Sequence, residues 1–344
     1  FSPSHRPVDM SSVLPVRFSP FEESVNDELK RDFVANTEGF IRGDPGGIVM
    51  SPGFLNFQRD IYEMEVREDD IWIVTFPKSG TTWTQDIVWV LKNNLDYSRA
   101  RSESVMARVP FLESNSMYSD EEYKARVKQF EVTGERSYHL TLEELRDLPR
   151  DKPRIIKTHL TFNLLPQNLL QKAKVIYVAR NPKDVMVSYY HHHKFIKMHY
   201  FQNDFKTFAK YFIDDKITFC PYWAHVLDAY SKRNSKNMLF AFYENMVKDL
   251  KSEVFRIASF IGESINDDDA DSLTQFMHFD NCKKRWEPFE AKKKADGNFL
   301  DQGSFYREGK CGNYKKHFTP ELEAEVDAWT EEKLRGCELR FPGY

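Results

Sequence analysis

The sequence predicts an α/β fold, built as a single domain around a central parallel sheet that is flanked by helices. Two observations support this prediction. Short, continuous apolar runs, which are typical of buried parallel strands, recur along the chain, and most are followed by a helical pattern. The chain also has 344 residues, 41% hydrophobic and 30% charged, which is the composition of an ordinary globular protein and suits one large α/β domain.

The secondary-structure elements are predicted in the following order. The strands are IWIVTF at 71–76, RIIKTHL at 154–160, KVIYVAR at 174–180 and NMLFAFYE at 237–244. Helical patterns follow the first, third and fourth strands, at 83–93, 181–195 and 248–262. The segment 281–316 is rich in Lys, Gly and Asn and is predicted to be a long loop. A last helix covers 320–336, with Pro320 in its first turn and Gly336 at its end.

Two segments lie outside this pattern. Residues 1–50 are rich in Ser, Pro, Gly and charged residues and are predicted to be an irregular N-terminal arm, so that the domain itself spans 51–344. An insertion at about 115–140 contains a helical pattern in which Ser119 and Glu122 have the spacing of a capping box. This helix is either a surface decoration or a lid over a pocket, and we adopt the lid as the working hypothesis.

Composition excludes several classes of protein. The chain carries 49 Lys and Arg against 53 Asp and Glu, a net charge of −4, which argues against binding nucleic acid through overall charge. No apolar run approaches the roughly 18 residues that a membrane span needs. The N-terminal residues lack the apolar core of a secretory signal. The four cysteines have no CxxC spacing, which indicates neither a disulfide framework nor a zinc site and favours a cytoplasmic location.

Aromatic residues are abundant, with 28 Phe, 16 Tyr and 6 Trp. They either fill the core or line a pocket for a flat or greasy ligand.

The segment PKSGTTW at 77–83 is the strongest functional signal. It lies between a strand and a helix, where unpaired N–H groups and the helix dipole favour an anion. Gly80 permits close backbone approach, Lys78 adds a positive charge, and hydroxyl donors come from Ser79, Thr81 and Thr82. The segment is not a Walker A loop, because its Lys precedes the Gly, and no acidic residue suited to Mg²⁺ follows an apolar strand. It therefore predicts a phosphate-like ligand without metal-assisted phosphoryl transfer.

Further candidate residues follow the next two strands. Arg180 and Ser188 suit a second phosphate, because ligands of open α/β sheets bind at the carboxyl ends of the strands. His159 is a candidate general base, and Lys157 beside it can stabilise developing negative charge. The run of three histidines at 191–193 is interpreted as ordinary helix residues, because consecutive side chains on a helix point about 100° apart and cannot share one metal ion.

Together these segments resemble the cytosolic sulfotransferases, which use 3′-phosphoadenosine-5′-phosphosulfate (PAPS) as sulfonate donor and release 3′-phosphoadenosine-5′-phosphate (PAP). The resemblance covers roughly residues 50–340. It rests on PKSGTTW at 77–83, KTHL at 157–160, RNPKDVMVSYY at 180–190 and FYE at 242–244.

The resemblance implies a role for each matching residue. The 5′-phosphosulfate would be held by Lys78, Ser79, Gly80, Thr81 and Thr82. The 3′-phosphate would be held by Arg180, Ser188, Arg307 and Gly309. The adenine would lie by Trp83, Tyr243 and Phe279. His159 would remove the proton of the acceptor hydroxyl, Lys157 would assist the leaving phosphate, and no metal would be required.

The C-terminal signature departs from the family pattern. Glu308 stands where the family has Lys, and Asn313 and Tyr314 stand where it has Asp and Trp. The family's dimer motif survives only as Lys315 and Thr319. The usual dimer is therefore not expected, and a homodimer of another kind stays open.

The insertion resembles that of the retinol dehydratase branch, whose members sulfonate retinol and then lose sulfate to give anhydroretinol. This resemblance implies a hydrophobic alcohol, retinol, as acceptor, and a pocket formed by Phe54, Phe111, His159 and His199. Three alternatives remain open: a sulfotransferase that makes stable esters of phenols or steroids, a nucleotide kinase, and a non-catalytic carrier of apolar ligands.

Overall fold

The N-terminal segment contains a small antiparallel sheet. The computed structural model describes residues 13–118 and 142–343. Strands β1 (Arg17–Pro20), β2 (Ile41–Asp44) and β3 (Val49–Met50) pair in this order, and helix α1 (Glu23–Asp32) connects β1 to β2. The prediction of an irregular arm is thus wrong for the described residues 13–50. The Gly-rich stretch that suggested a loop is the turn between β2 and β3, where Gly46 and Gly47 have φ of +103° and +74°.

The central sheet has four parallel strands, as predicted. They are β4 (Ile71–Val74), β5 (Ile155–Thr158), β6 (Lys174–Ala179) and β7 (Met238–Phe242), and their spatial order is β5-β4-β6-β7. Strand β4 is buried throughout because it lies between β5 and β6. The loop that follows β4 is therefore flanked by the carboxyl ends of both neighbours.

A segment that was not predicted extends the edge of this sheet. The backbone N–H of Leu112 donates to Lys157 O at 2.9 Å, and that of Lys157 donates to Pro110 O at 2.9 Å. The segment 110–112 thus runs parallel to β5 and carries the chain to the cavity described below.

The remaining helices pack against the sheet or connect its strands. They are α2 (Gln58–Tyr62), α3 (Thr81–Lys92), α4 (Tyr97–Ser102), α5 (Val105–Arg108), α6 (Leu142–Arg146), α7 (Leu169–Lys172), α8 (Pro182–Phe195), α9 (Phe205–Ile213), α10 (Tyr222–Ser231), α11 (Tyr243–Lys248), α12 (Leu250–Ile261), α13 (Asp267–Phe276), α14 (Phe279–Ala295) and α15 (Pro320–Lys333). Among the described residues, no helix has both the length and the apolar character that crossing a membrane would require.

Helix α14 corrects the prediction of a long loop over 281–316. Its Lys-rich sequence is compatible with a helix, since Lys is a good helix former. Trp286 anchors it, because its ring packs at 4.6 Å from the rings of both Phe289 and Phe305. The predicted helix with Ser119 and Glu122 lies outside the described residues. The start of the predicted insertion is described, and Ser114–Met117 form a 3₁₀ turn there.

Alternate residues of the strands fill apolar clusters on the two faces of the sheet. Trp72, Val74 and Tyr177 belong to one cluster, whereas Ile73 and Ile176 belong to the other. The continuous apolar runs arise because both faces of these strands are covered.

A buried ion pair fixes the first residues of the sheet. Asp70, directly before β4, accepts hydrogen bonds from Nε and Nη2 of Arg154, directly before β5, at 2.7 and 2.6 Å. Both side chains are almost wholly buried. The pair therefore sets the register between β4 and β5 at the end opposite to the functional loops.

Replacing Asp70 with Ala is expected to lower the free energy of unfolding by about 3–5 kcal/mol, because it leaves the Arg154 guanidinium buried and unpaired. Urea denaturation measures this change. The matched control is Glu65→Ala, which removes the exposed ion pair with Arg150 at 2.8 Å and is expected to have a much smaller effect. Equal losses in the two variants would contradict the prediction.

Candidate active site

The loop between β4 and α3 has the geometry of an anion-binding site. Gly80 precedes the first turn of α3 with φ of +107°, and Lys78 has φ of +67°, which is unusual for a residue with a side chain. A Cβ atom on Gly80 would lie 2.9 Å from Cδ2 of Tyr243. Glycine is therefore required here, both for the backbone conformation and for the close approach of the Tyr243 ring. The predicted strand–loop–helix unit is confirmed.

Four cations meet in a cavity of about 1600 Å³ at the carboxyl edge of the sheet: Lys78, Lys157, Arg180 and Arg307. Arg180 Nη1 donates to Lys78 O at 3.1 Å, and its guanidinium lies 4.2 Å from the ring centre of Tyr243. None of the four forms an ion pair with a carboxylate in the part of the chain that the structure describes. The two arginines and both lysines are thus available to an anion.

Burial and mutual repulsion change the ionisation of the two lysines. Burial, followed by the charges of Arg180, Lys157 and Arg307, lowers the pKa of Lys78 to about 7. Burial also lowers the pKa of Lys157 to about 8. An anion bound in the cavity would favour the protonated form of both side chains.

Several buried polar atoms of the site have no hydrogen-bond partner among the described residues. They include Oγ of Ser79, Nε of Arg180 and Oγ1 of Thr274. Arg180 and Thr274 line the cavity, whereas the Ser79 side chain is fully buried behind its wall. The buried atoms of Arg180 and Thr274, which line the cavity beside cations that have no ion pair among the described residues, fit a phosphate-bearing ligand.

Three aromatic residues form a wall of the same cavity. The Trp83 ring lies 5.9 Å from that of Tyr243, and Trp83 Nε1 donates to Met277 O at 2.9 Å. Phe279 packs against Gly309, where an added Cβ would lie 2.1 Å from the Phe279 ring. All three rings line the cavity.

The C-terminal loop is attached to α8 by a buried carboxylate. Asp184 accepts the backbone N–H groups of Gly312 at 2.7 Å and Tyr314 at 3.1 Å. This attachment places Arg307 and Gly309 in the cavity wall with Ser188 of α8. The charge reversal at Glu308 is offset locally, because its carboxylate pairs with Lys316 at 2.8 Å.

His159 is held as a neutral imidazole at the end of β5. Its Nδ1 lies 2.8 Å from Thr75 O, so Nδ1 carries the proton and Nε2 keeps its lone pair. Burial, together with the positive charge of Lys157, holds the pKa of His159 well below its usual value. The rings of Phe111 and Phe219 lie 5.3 and 5.4 Å from the imidazole in edge-on orientations.

Two residues that support His159 were not singled out from the sequence. Glu113 accepts the His159 backbone N–H at 2.6 Å. His225 lies with Nε2 3.0 Å from His159 O and with Nδ1 2.7 Å from the Tyr177 hydroxyl. Thr274 was also missed. No local sequence pattern identifies Glu113 or His225, since the His159 backbone groups that they contact are distant in the chain. Thr274 Oγ1 has no hydrogen-bond partner among the described residues.

The predicted acceptor residues divide into two groups. Phe111, His159 and His199 line the cavity together with Phe219 and His192. Phe54 is not part of the cavity wall in the described structure, so its assignment is wrong. Its side chain is fully buried, and its ring packs edge-on at 5.4 Å against Phe18 of the N-terminal sheet, which the sequence interpretation had not foreseen.

The three consecutive histidines of α8 have different neighbours. The His191 ring lies 5.0 Å from that of His317, His192 lies 5.4 Å from His199, and His193 lies 4.4 Å from Tyr189. Within residues 13–118 and 142–343, no group of three or more His, Cys, Asp or Glu side chains is arranged to hold a metal ion.

Comparisons with known proteins agree with this geometry. Residues 68–338 match the protein family described as the sulfotransferase domain. Luciferin sulfotransferase of Photinus pyralis is 36% identical over 291 residues, which are 82% of this chain and 76% of that protein. Its likeness extends beyond the short motifs to most of the chain.

Two crystal structures of retinol dehydratase have the same fold, each with a TM-score of 0.86 and 28% sequence identity. One is a complex with androsterone and the inactive cofactor PAP, and the match covers 96% of this chain and 99% of that chain. The other is a complex with retinol and PAP, and the match covers 95% and 99%.

His159 is expected to be neutral and protonated at Nδ1 from pH 6 to 8, because its pKa is lowered and Thr75 O accepts the Nδ1 proton. Nitrogen-15 NMR of the imidazole side chains distinguishes the two tautomers and the cation, and His159→Asn identifies the signal. An imidazolium signal for His159 above pH 6.5, or an Nε2-protonated tautomer, would contradict this assignment.

Proposed function

We propose, from the premise that this chain belongs to the sulfotransferase family, that it transfers a sulfonate group from PAPS to the hydroxyl of a hydrophobic alcohol. The observation that carries the proposal is the meeting of a neutral histidine with four cations, none of which has an ion pair among the described residues, in one cavity. The cations suit a donor with phosphates at both ends of its nucleoside. The histidine suits an acceptor that must lose a proton.

The donor would be bound by the residues of the phosphate loop and of α8. Lys78, Ser79, Gly80, Thr81 and Thr82 would hold the 5′-phosphosulfate at the N-terminus of α3. Arg180, Ser188, Arg307 and Gly309 would hold the 3′-phosphate, and Trp83, Tyr243 and Phe279 would contact the adenine. PAPS, when bound, supplies a sulfonate group with PAP as the leaving group.

His159 and Lys157 would act on the acceptor and on the leaving group respectively. Nε2 of His159 is free to accept the hydroxyl proton, and the carbonyl of Thr75 then stabilises the resulting imidazolium through Nδ1–H. The Lys157 ammonium stabilises the negative charge that grows on the departing phosphate oxygen. Positioning and electrostatics would thus account for catalysis by this chain's side chains.

We further propose retinol as the acceptor, with elimination to anhydroretinol as a subsequent step. The aromatic rings of Phe111 and Phe219 beside His159 suit a long apolar alcohol. Retinol dehydratase has been crystallised with retinol and with androsterone, and it shares the fold over almost the whole chain. A sulfate on an allylic carbon is a good leaving group, and a conjugated polyene stabilises the cation. The cytoplasmic location, the lid and a homodimer stay predictions.

The protein is expected to convert retinol with PAPS in the presence of EDTA to anhydroretinol. The C–O bond of the allylic sulfate would break with its electron pair on the departing sulfate, the polyene would stabilise the cation, and loss of a C–H proton to that sulfate or to solvent would complete the elimination. A water-poor cavity would favour this outcome over hydrolysis. Ultraviolet spectra and mass spectrometry identify the product. Retinyl sulfate as the only product would support the proposed sulfonate transfer and contradict the proposed elimination step. Absence of sulfonated product with retinol, phenols and steroids would contradict the proposed function.

His159→Ala is the control for this assay. Loss of the general base is expected to lower kcat by about 10²–10⁴-fold. PAP binding should be retained, since His159 is not among the proposed donor-binding residues. Full activity in this variant would contradict the proposed role of His159 as general base.

Affinity for PAP is expected to fall as the pH rises from 7 to 9. The pKa of Lys78 is about 7 and that of Lys157 about 8 in the ligand-free protein, so above these values binding of the anion must take up protons. For each lysine the fall approaches about tenfold per pH unit. Isothermal titration calorimetry in buffers of different ionisation enthalpy measures both affinity and proton uptake.

Lys78→Arg is the matched variant for this titration, because an arginine stays protonated throughout the range. In this variant, most of the pH dependence of PAP affinity between pH 7 and 8 is expected to disappear. The part of the pH dependence that Lys157 contributes should remain. A PAP affinity that does not change with pH in the unmodified protein would be the contrary result.

A further inference from the structure

Glu113 is a buried carboxylate whose hydrogen bonds lead to the catalytic strand. Its side chain is 1% exposed. Oε1 accepts the His159 backbone N–H at 2.6 Å, and Oε2 accepts the Thr158 hydroxyl at 2.8 Å. A buried carboxylate is costly unless donors of this kind satisfy it, and such charge-assisted bonds are short and strong. The two oxygens therefore fix the peptide bond between Thr158 and His159.

The residues before Glu113 hold Lys157 by a second set of contacts. Leu112 and Pro110 exchange backbone hydrogen bonds with Lys157, both at 2.9 Å. Phe111 lies between the two catalytic side chains: its ring centre is 3.8 Å from Lys157 Nζ and 5.3 Å from the His159 ring. The segment 110–113 is thus a common support for the base and for the cation.

We propose that Glu113 is a positioning residue for sulfonate transfer: it orients His159 through the backbone and offsets the positive charge of Lys157, without contacting either reactant. This inference rests on the proposed function, because it assigns Glu113 to the step that His159 and Lys157 carry out.

The electrostatic part of the proposal follows from the groups around Lys157. The cationic or protonatable side chains that interact with it are Lys78, His159, His192 and His199. Burial lowers the pKa of Lys157, whereas the negative charge of Glu113 raises it. Burial in turn raises the pKa of Glu113 to about 7. Without the carboxylate, Lys157 loses its proton at a lower pH than in the unmodified protein.

Two variants of Glu113 separate geometry from charge. Glu113→Gln keeps the shape and one oxygen acceptor for the His159 N–H, whereas Glu113→Ala removes both. The matched control is Ser116→Ala, because the Ser116 hydroxyl donates to the backbone oxygen of Glu113 at 2.7 Å in the same turn and makes no contact with its carboxylate. The measurements are kcat against pH with PAPS and an accepted alcohol, the Kd for PAP, and the NMR signals of the His159 amide and ring.

In Glu113→Ala we expect kcat to fall by about 10²-fold, because a displaced base is no longer aligned with the acceptor. At a pH low enough for Lys157 to keep its proton in the variant, the Kd for PAP should stay close to that of the unmodified protein. The His159 amide signal should shift. In Glu113→Gln we expect a smaller fall at neutral pH, a His159 amide signal near its original position, and an alkaline limb of kcat displaced to lower pH. Ser116→Ala should leave the alkaline limb and the His159 signals in place.

Unchanged kcat, alkaline limb and His159 signals in both Glu113 variants would overturn the proposal. An unmoved alkaline limb in Glu113→Gln would overturn the role in offsetting Lys157. If circular dichroism shows that Glu113→Ala does not fold, the dependence of kcat on pH in Glu113→Gln alone decides whether the proposal holds. If the unmodified protein transfers no sulfonate to any alcohol, the proposed function fails, whereas the His159 signals of the variants still report whether Glu113 orients that residue.

Discussion

The functional site depends on one electrostatic constraint: Lys78, Lys157, Arg180 and Arg307 share a cavity, and none forms an ion pair among the described residues. Burial, and after it the repulsion by the other three cations, lowers the pKa of Lys78. Aromatic rings lie against three of these side chains, those of Lys78, Lys157 and Arg180. The Lys78 ammonium, for example, lies 4.0 Å from the ring centre of Phe305. Carboxylates in their place would compete with the anion that the site is suited to bind.

The order of the parallel strands explains how the cations come together. Because β4 lies between β5 and β6, its loop has Lys157 and His159 on one side and Arg180 on the other. Arg307 arrives from the C-terminal loop, which Asp184 attaches to α8. The four cations thus come from four separate parts of the chain. The sheet sets the positions of three of them, and one buried carboxylate sets the position of the fourth.

The sequence predicted those parts of the site that are local in the chain. The four strands, the loop after β4 and the helix after β6 are each defined within a short segment, and the family resemblance drawn from them is confirmed over residues 68–338. The supports of His159 were not predictable in this way. Glu113 lies 46 residues from the amide that it binds, and His225 lies 66 residues from its carbonyl partner. Phe54 was wrongly assigned for the same reason, since its position depends on packing against the N-terminal sheet.

The cations and the base also impose opposite demands on the cavity. Burial and, after it, the positive charges that would bind the donor lower the pKa of His159, and a lower pKa makes a weaker base. A phosphate-bearing anion beside Lys78 and Lys157 opposes their field, so the pKa of His159 rises when the donor is in place. The carbonyl of Thr75 is already positioned to stabilise the imidazolium. In the proposed reaction, the histidine would therefore become a stronger base once the donor is bound. This would couple proton removal from the acceptor to the presence of the group that the acceptor receives.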